Sequence, residues 1–538
     1  MKGIMIQGTS SDAGKSFLVT GLCRVFSDRG YRVCPFKSQN MSNNSYVTKD
    51  GLEMGRAQAV QAEAARLDPQ VFMNPILLKP RNDATSAIVL MGQECTDARA
   101  DYYRAFTMNE GLSTVRAALA HIEKNFEAVL IEGAGSPVEI NLNATEIVNM
   151  RVAREADVPV ILTADVDRGG ALAALVGTLD LLEADRDRVK GIIFNKFRGN
   201  LSLFEPAVRW TEERTGVKVL GVMPWTPARI ASEDSLSIRW NARSPKGFLD
   251  NEIDNGINNR INNRIDNRID NRIGSEGLVI GVIRLPYISN HTDLEAFEAE
   301  PDVELIEVDT HTSLRRVDAV ILPGTKSTVL DMKVLRDSGL AGRLLDFHQR
   351  GGYLFGLCGG YQMLGQYIDD RYLRDNDTLK EIEGLGLLPV VTTFGEKKTT
   401  RRREGWTIHP LFTSNAARVE GYEIHFGETR SVGEGRGDGL SEKERFYPLF
   451  VLNGYEDGMA DRELRVAGTY LHNAFHNDIF RAFWLNALRK SKGLPERSVT
   501  DTTAANEEAY DVLAARMREH IDIDYIFTLS GLLDRKEQ

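Results

Sequence analysis

Only four cysteines, Cys23, Cys34, Cys95 and Cys358, are spread over 538 residues, and no two form a C-x-x-C pair. That scarcity speaks against a disulfide framework or a cysteine-ligated zinc site and fits a reducing compartment, so any special cysteine has to act alone. No apolar run reaches the roughly 18 residues of a membrane-spanning helix, so no membrane span is expected. A basic excess is missing as well. The net charge of -11 argues against a broad nucleic-acid surface and serves mainly solubility. Nor is there room for a secretory leader, because Met1-Lys2-Gly3-Ile4-Met5-Ile6 runs straight into a glycine-rich turn. The expected location is cytoplasmic.

What is present is the composition of an ordinary globular protein, with 42% hydrophobic and 27% charged residues. The chain is too long for one core; at roughly 150 residues per domain it holds about three units, or two large domains and a tail. Short apolar runs at residues 3–6, 33–36, 128–131, 158–162, 191–194 and 217–220 alternate with helical-length segments. Strands that are apolar throughout, rather than alternating, belong to a parallel sheet covered on both faces, so the fold class is α/β, doubly wound. The pattern restarts at residues 278–283 and continues through 303–308, 319–322 and 353–355, which marks a second α/β domain.

Between the two lies a stretch, residues 251–274, carrying INNR, INNR, IDNR and IDNR in tandem. Asn and Asp are poor helix formers, so this reads as a low-complexity linker with no chemical role. The expected boundaries are residues 1–238 for a phosphate-loop domain, 239–275 for the linker, 276–495 for a second domain and 496–538 for a helical tail. The tail, with Val512, Leu513 and Met517, either packs on a domain or serves an oligomer interface.

Gly8-Thr9-Ser10-Ser11-Asp12-Ala13-Gly14-Lys15-Ser16 follows the first apolar run and precedes a helical one. Strand, glycine-rich turn, then Lys and Ser at a helix start is what phosphate binding needs. Backbone N–H groups and the helix dipole hold anionic oxygens, Lys15 adds charge, and the Ser16 hydroxyl can ligate Mg²⁺. Five residues separate Gly8 from Gly14, one more than the usual loop. With Thr9 after the first glycine, this variant resembles the dethiobiotin synthetase group, whose members activate carboxylates with ATP.

Further polar segments sit at strand ends, where open α/β sheets bind ligands. Glu132 can hold Mg²⁺ that bridges ATP phosphates. Asp165 offers metal or substrate contact, although a turn with a helix cap explains it almost as well. Asn195 resembles the position where related enzymes read the nucleotide base with an amide. Lys37, in a loop dense in hydrogen-bonding groups, can stabilise a phosphate in transfer.

Phe355-Gly356-Leu357-Cys358-Gly359-Gly360-Tyr361-Gln362 reads as strand, sharp turn, helix, with glycine at three of the four positions nearest the cysteine. That is a nucleophile elbow, in which the helix N-terminus favours a thiolate. The partner histidine is His472, in Gly468-Thr469-Tyr470-Leu471-His472-Asn473-Ala474-Phe475; it takes the thiol proton and returns it to leaving ammonia. Gly324, in Leu322-Pro323-Gly324-Thr325-Lys326-Ser327-Thr328, can supply an oxyanion-hole N–H paired with that of Gly359, or be a plain strand-end turn.

Together with Gly421-Tyr422-Glu423-Ile424-His425-Phe426-Gly427, these segments resemble class I glutamine amidotransferases of the cobyric acid synthase family, and with the phosphate loop they cover both domains in that family's order. The resemblance implies a glutaminase-like second sheet, ATP and Mg²⁺, glutamine as nitrogen donor and a corrinoid substrate. The implied reaction is amidation of four peripheral carboxylates of (adenosyl)cobyrinic acid a,c-diamide. Alternatives are the related a,c-diamide synthase and, from another class, a nucleotide-switch protein with an inactive glutaminase module. Two departures stand out. Ala474 occupies the place where class I enzymes carry the glutamate two residues after the histidine, leaving Glu423 as the alternative for orienting the ring. Asn473 replaces a usual glycine, which suits a left-handed backbone that Asn tolerates. His425 is a second candidate base, read more simply as a structural strand histidine.

Overall fold

The protein is described from a computed structural model covering residues 1–82, 85–99, 106–141, 145–226, 277–373, 375, 379–412, 416–432 and 445–532. The linker expected over 239–275, with its tandem repeat, lies outside these residues. The chain forms two compact units, Met1–Asp234 with Thr503–Gln538, and Ser235–Thr502.

In the first unit, β1 (Gly3–Gly8) leads into α1 (Lys15–Asp28), followed by β2 (Val33–Phe36), α2 (Arg56–Ala64), β3 (Ala128–Glu132), β4 (Val160–Asp165), β5 (Val189–Phe197) and β6 (Val219–Pro224). The strands form one sheet in the order β6-β5-β4-β1-β3-β2, every pairing parallel. The apolar run of β1 is explained by its two covered faces: Ile4 and Ile6 enter one core, Met5 the other. Pro159 has no N–H to give the ladder, so β4 starts at Val160 and runs on to Asp165, beyond the expected strand end. Because the chain crosses over β1 between β3 and β4, a crevice opens at the C-terminal ends of these strands. An antiparallel meander of Ile76–Asn82, Thr85–Leu90 and Gln93–Arg99 lies between α2 and β3 and was not anticipated from sequence.

The tail packs on this unit. Helices Thr502–His520 and Ile523–Leu529 bury Leu513, Met517, Ile526 and Phe527 with Leu18, Leu22 and Phe26 of α1. Arg24 of α1 is 2% exposed and pairs with Glu507 at 2.6 Å and Asp511 at 2.7 Å.

In the second unit, β7 (Leu278–Ile283), β8 (Val303–Val308), β9 (Ala319–Leu322), α3 (Thr328–Asp337), β10 (Tyr353–Leu357) and α4 (Gly359–Leu364) precede a long hairpin, β11 (Val390–Thr407) and β12 (Arg418–Ser431). Then come β13 (Phe446–Tyr447), β14 (Met459–Asp461) and β15 (Val466–Thr469). The main sheet runs β8-β7-β9-β10-β15-β14-β13, parallel from β8 to β15 and antiparallel at β14 and β13. Again both faces are covered: Ile280 and Val282 point into one core, Val279 and Ile283 into the other. The loops after β9, β10 and β15 therefore emerge side by side, and they carry Gly324, Cys358 and His472.

Candidate active sites

In the first unit, the Thr9 N–H donates to the Thr163 carbonyl at 2.9 Å, pinning the loop to β4. Gly14 turns the chain into α1 with φ 91°, and a methyl there would collide with the Asn195 amide nitrogen. Lys15 is 6% exposed, its Nζ 3.1 Å from the Ser10 carbonyl and 3.3 Å from that of Gly135, so its cation stands over the loop. Asn195 is buried and donates Nδ2–H to the Ala13 carbonyl at 2.9 Å, while its Oδ1 accepts the Lys196 N–H at 2.9 Å. The donor end of the amide thus braces the loop, while its oxygen is held by the backbone of its own strand.

Glu132, at the end of β3, is fully buried and gathers three donors. Ser16 Oγ–H and Lys37 Nζ reach Oε1, each at 2.8 Å, and Gln61 Nε2 reaches Oε2 at 2.5 Å. A buried carboxylate demands such pairing, and Lys37 supplies the opposite charge. A hydroxyl from the start of α1 and a carboxylate from the end of β3 are oxygen donors of the kind that suits a hard cation. Among the described residues no cluster of three or more His, Cys, Asp or Glu could hold a metal ion. Asp165 accepts the Asp167 N–H and pairs with Lys196 Nζ, both at 2.9 Å. Of the turn and helix cap read at Asp165, the turn is formed, whereas the following helix is capped by Gly170 without a side-chain bond. Gln61, unmarked by any sequence motif, sits one helical turn from Gln58 on the buried side of α2.

In the second unit, Cys358 stands at φ 50°, ψ -106°, a conformation that non-glycine residues adopt only where surroundings impose it. Here the close approach of α4 to β9 imposes it: a Cβ on Gly360 would run into the Leu322 carbonyl, and one on Gly359 would lie 2.6 Å from Thr325 Cγ2. Cys358 N–H donates to Thr469 O at 2.8 Å, and Sγ lies 3.6 Å from the Ile424 carbonyl oxygen. His472 follows β15, and a two-way backbone bridge to Tyr422 holds it in place while the Tyr422 ring stacks on the imidazole at 5.0 Å.

The acid that the sequence failed to locate is Asp293. Its Oδ2 lies 2.7 Å from His472 Nδ1, and its Oδ1 accepts the Asn473 N–H at 2.7 Å. Asn473 has φ 64°, the left-handed backbone expected of it. Glu423 does not take this place: it pairs with Arg403 at 2.8 Å and faces His425 at 3.9 Å. His425 stacks on Tyr470 at 3.9 Å and bonds the Gly427 carbonyl at 2.7 Å. Burial opposes charge on His472, but the neighbouring Asp293 and Cys358 outweigh it and raise the imidazole to about 10. At neutral pH the ring is therefore an imidazolium. Gly324 faces the ring, since a Cβ there would lie 3.3 Å from His472 Cε1. Asn290 Nδ2 lies 3.4 Å from His472 Nε2.

Residues 4–237 match the CobQ/CobB/MinD/ParA nucleotide binding domain, and residues 279–480 match the CobB/CobQ-like glutamine amidotransferase domain. The chain is 42% identical over 526 residues to the cobyric acid synthase of Geobacillus kaustophilus strain HTA426, covering 97% of this chain and 96% of that one. It belongs to the cobyric acid synthase family. The cobyric acid synthase of Dehalococcoides mccartyi strain CBDB1 is 43% identical over 537 residues, 98% of each chain, and that of Anoxybacillus flavithermus strain DSM 21510 / WK1 is 43% identical over 526 residues, 97% of this chain and 96% of that one. Membership makes the chain a nucleotide-binding glutamine amidotransferase, with the phosphate loop in the first matched segment and Cys358 in the second. Among the described residues no helix is long and apolar enough to cross a membrane.

Proposed function

We propose that the chain is a ligase that amidates the four peripheral carboxylates of (adenosyl)cobyrinic acid a,c-diamide, giving cobyric acid, with ATP as activator and glutamine as nitrogen donor. The observation that carries this reading is the Cys358, His472 and Asp293 constellation, combined in one chain with a phosphate loop.

Cys358 sulfur attacks the glutamine amide carbon while the oxyanion is held by the N–H groups of Gly359 and the Gly324 loop. As the C–N bond breaks, the His472 imidazolium proton passes to the leaving nitrogen and ammonia departs. Water then attacks the glutamyl thioester, glutamate is released, and the proton lost by water returns to His472. Asp293 keeps the imidazole in one tautomer and orientation throughout.

In the first unit, a corrinoid carboxylate oxygen attacks the ATP γ-phosphorus, ADP leaves, and the acyl phosphate loses phosphate to ammonia as the amide forms. Lys15 and Lys37 balance the charge in transfer, and the N-terminus of α1 binds the phosphates. Ser16 and Glu132 are the residues that would hold Mg²⁺, which would supply neutralisation of phosphate charge. Asn195 keeps the loop in shape for the nucleotide.

The test is the product mass from each corrinoid supplied with ATP, Mg²⁺ and glutamine. Four successive amidations starting from the a,c-diamide support the proposal; two amidations starting from the unamidated acid would assign the a,c-diamide synthase reaction instead.

A further inference from the structure

We propose that Asp331 is a positioning residue of the glutaminase site, which as a neutral carboxylic acid fastens the loop of Gly324 and Thr325 through the Thr325 hydroxyl and frees it on ionising. The inference rests on the reading that Cys358 works beside this loop.

The argument is a proton count around one oxygen. Thr325 Oγ1 accepts the Ser327 N–H at 3.1 Å, lies 3.0 Å from the Tyr287 carbonyl oxygen, and closely contacts Asp331 Oδ2. A hydroxyl has one proton to give. Were Asp331 ionised, two acceptors would compete for that proton and one oxygen pair would face each other with none. With the proton on Asp331 the chain closes: Asp331 donates to Thr325, and Thr325 donates to Tyr287. Burial pushes the Asp331 carboxyl up to about 7; Asp375 adds to the rise, while bonds from Thr325 and the Tyr287 backbone oppose it. Asp331 is fully buried on the first turn of α3.

This hydroxyl joins the parts of the site that have to keep register. Thr325 Cγ2 packs against Gly359, next to the nucleophile. Tyr287 O also takes the Lys326 N–H at 2.9 Å, and Ser289 N–H donates to Gly324 O at 2.9 Å, so the segment that goes on to Asn290 and Asp293 is tied to the same loop. At the start of α3, Thr328 Oγ1 donates to Gln362 of α4 at 3.0 Å. Losing the Asp331 proton unbalances the junction between the oxyanion loop and the residues that hold His472.

The other ionisable neighbour is Asp375. It caps α3 through the Thr328 and Val329 N–H groups at 2.6 and 2.8 Å; burial raises it to about 7, and Lys326 is the cation acting against that rise. A variant at 331 leaves Asp375 in place, so it separates the two.

Glutamine hydrolysis by the full chain, with ATP, Mg²⁺ and corrinoid present, is followed from about pH 6 to about pH 9. The wild type is expected to lose kcat/KM progressively above about pH 7. Asp331→Asn, whose amide can donate to Thr325 permanently, is expected to keep the low-pH rate within about threefold and to hold it across the range. The proposal is overturned if the wild type shows no such fall, if the Asn variant falls at the same pH, or if that variant is folded but inactive at low pH. Should Asp331→Asn not fold, Thr325→Val decides: a pH-independent rate near the wild-type alkaline value supports the proposal, and a retained fall near pH 7 overturns it. Cys358→Ser run alongside reports separately on the underlying reading, because glutaminase that survives it would sink that reading whatever the pH profiles show.

Discussion

Asp293 Oδ2 lies 2.7 Å from His472 Nδ1, and each side chain is 1% exposed. An acid thus meets the imidazole although the second position after the histidine is Ala474. Asp293→Asn keeps the shape but favours the wrong tautomer. Glutamine hydrolysis is expected to fall by about 10²–10⁴-fold, as for loss of a triad acid, with ammonia-dependent amidation retained. Parallel assays with the two nitrogen donors check this; equal loss of both would assign Asp293 a structural role alone.

The same pair predicts a pH dependence of stability. His472 is raised from 6.5 to about 10, so the folded state binds its proton more tightly than the unfolded chain does. The contribution is complete below pH 6.5 and is lost as pH rises from 6.5 through about 10. Urea unfolding of the wild type and of His472→Gln should show a stability difference that shrinks across that window; a difference that grows with pH would contradict the assignment.

Gly14→Ala meets two obstacles at once, a φ of 91° and the Asn195 amide. The backbone strain alone is about 1–2 kcal/mol, and relieving the collision moves Asn195 off the Ala13 carbonyl. ATP affinity, read by titration calorimetry, is expected to drop by at least about tenfold, while glutamine hydrolysis measured at saturating ATP persists.

Met517 is fully buried and lies against Gly21 of α1. Met517→Ala should cost about 2–5 kcal/mol in denaturant unfolding. A cost below about 0.5 kcal/mol, the level of surface substitutions, would show that the tail does not stabilise the phosphate-loop unit.

What the sequence disclosed was local in the chain. The phosphate loop and the cysteine elbow each need strand, turn and helix in immediate succession, so GTSSDAGKS and FGLCGGYQ carry their geometry in their spacing. His472 could be singled out because its motif surrounds it. Asp293 was invisible because it precedes its partner by 179 positions and no spacing rule links them; only the polar run His291-Thr292-Asp293 after β7 hints at it. Asn195, expected to read a base, donates to the loop carbonyl of Ala13 and accepts the Lys196 N–H, a tertiary use that composition cannot signal. Glu423 had a partner nearer in the sheet, Arg403, across the hairpin register.

The central claim, that Cys358 strips nitrogen from glutamine for delivery to a phosphate-activated carboxylate, is tested most directly by Cys358→Ser assayed for corrinoid amidation with glutamine and, separately, with high ammonia. The account predicts that amidation from glutamine is abolished and amidation from ammonia with ATP survives. Amidation still supported by glutamine, or equal loss with both donors in a folded protein, would contradict it.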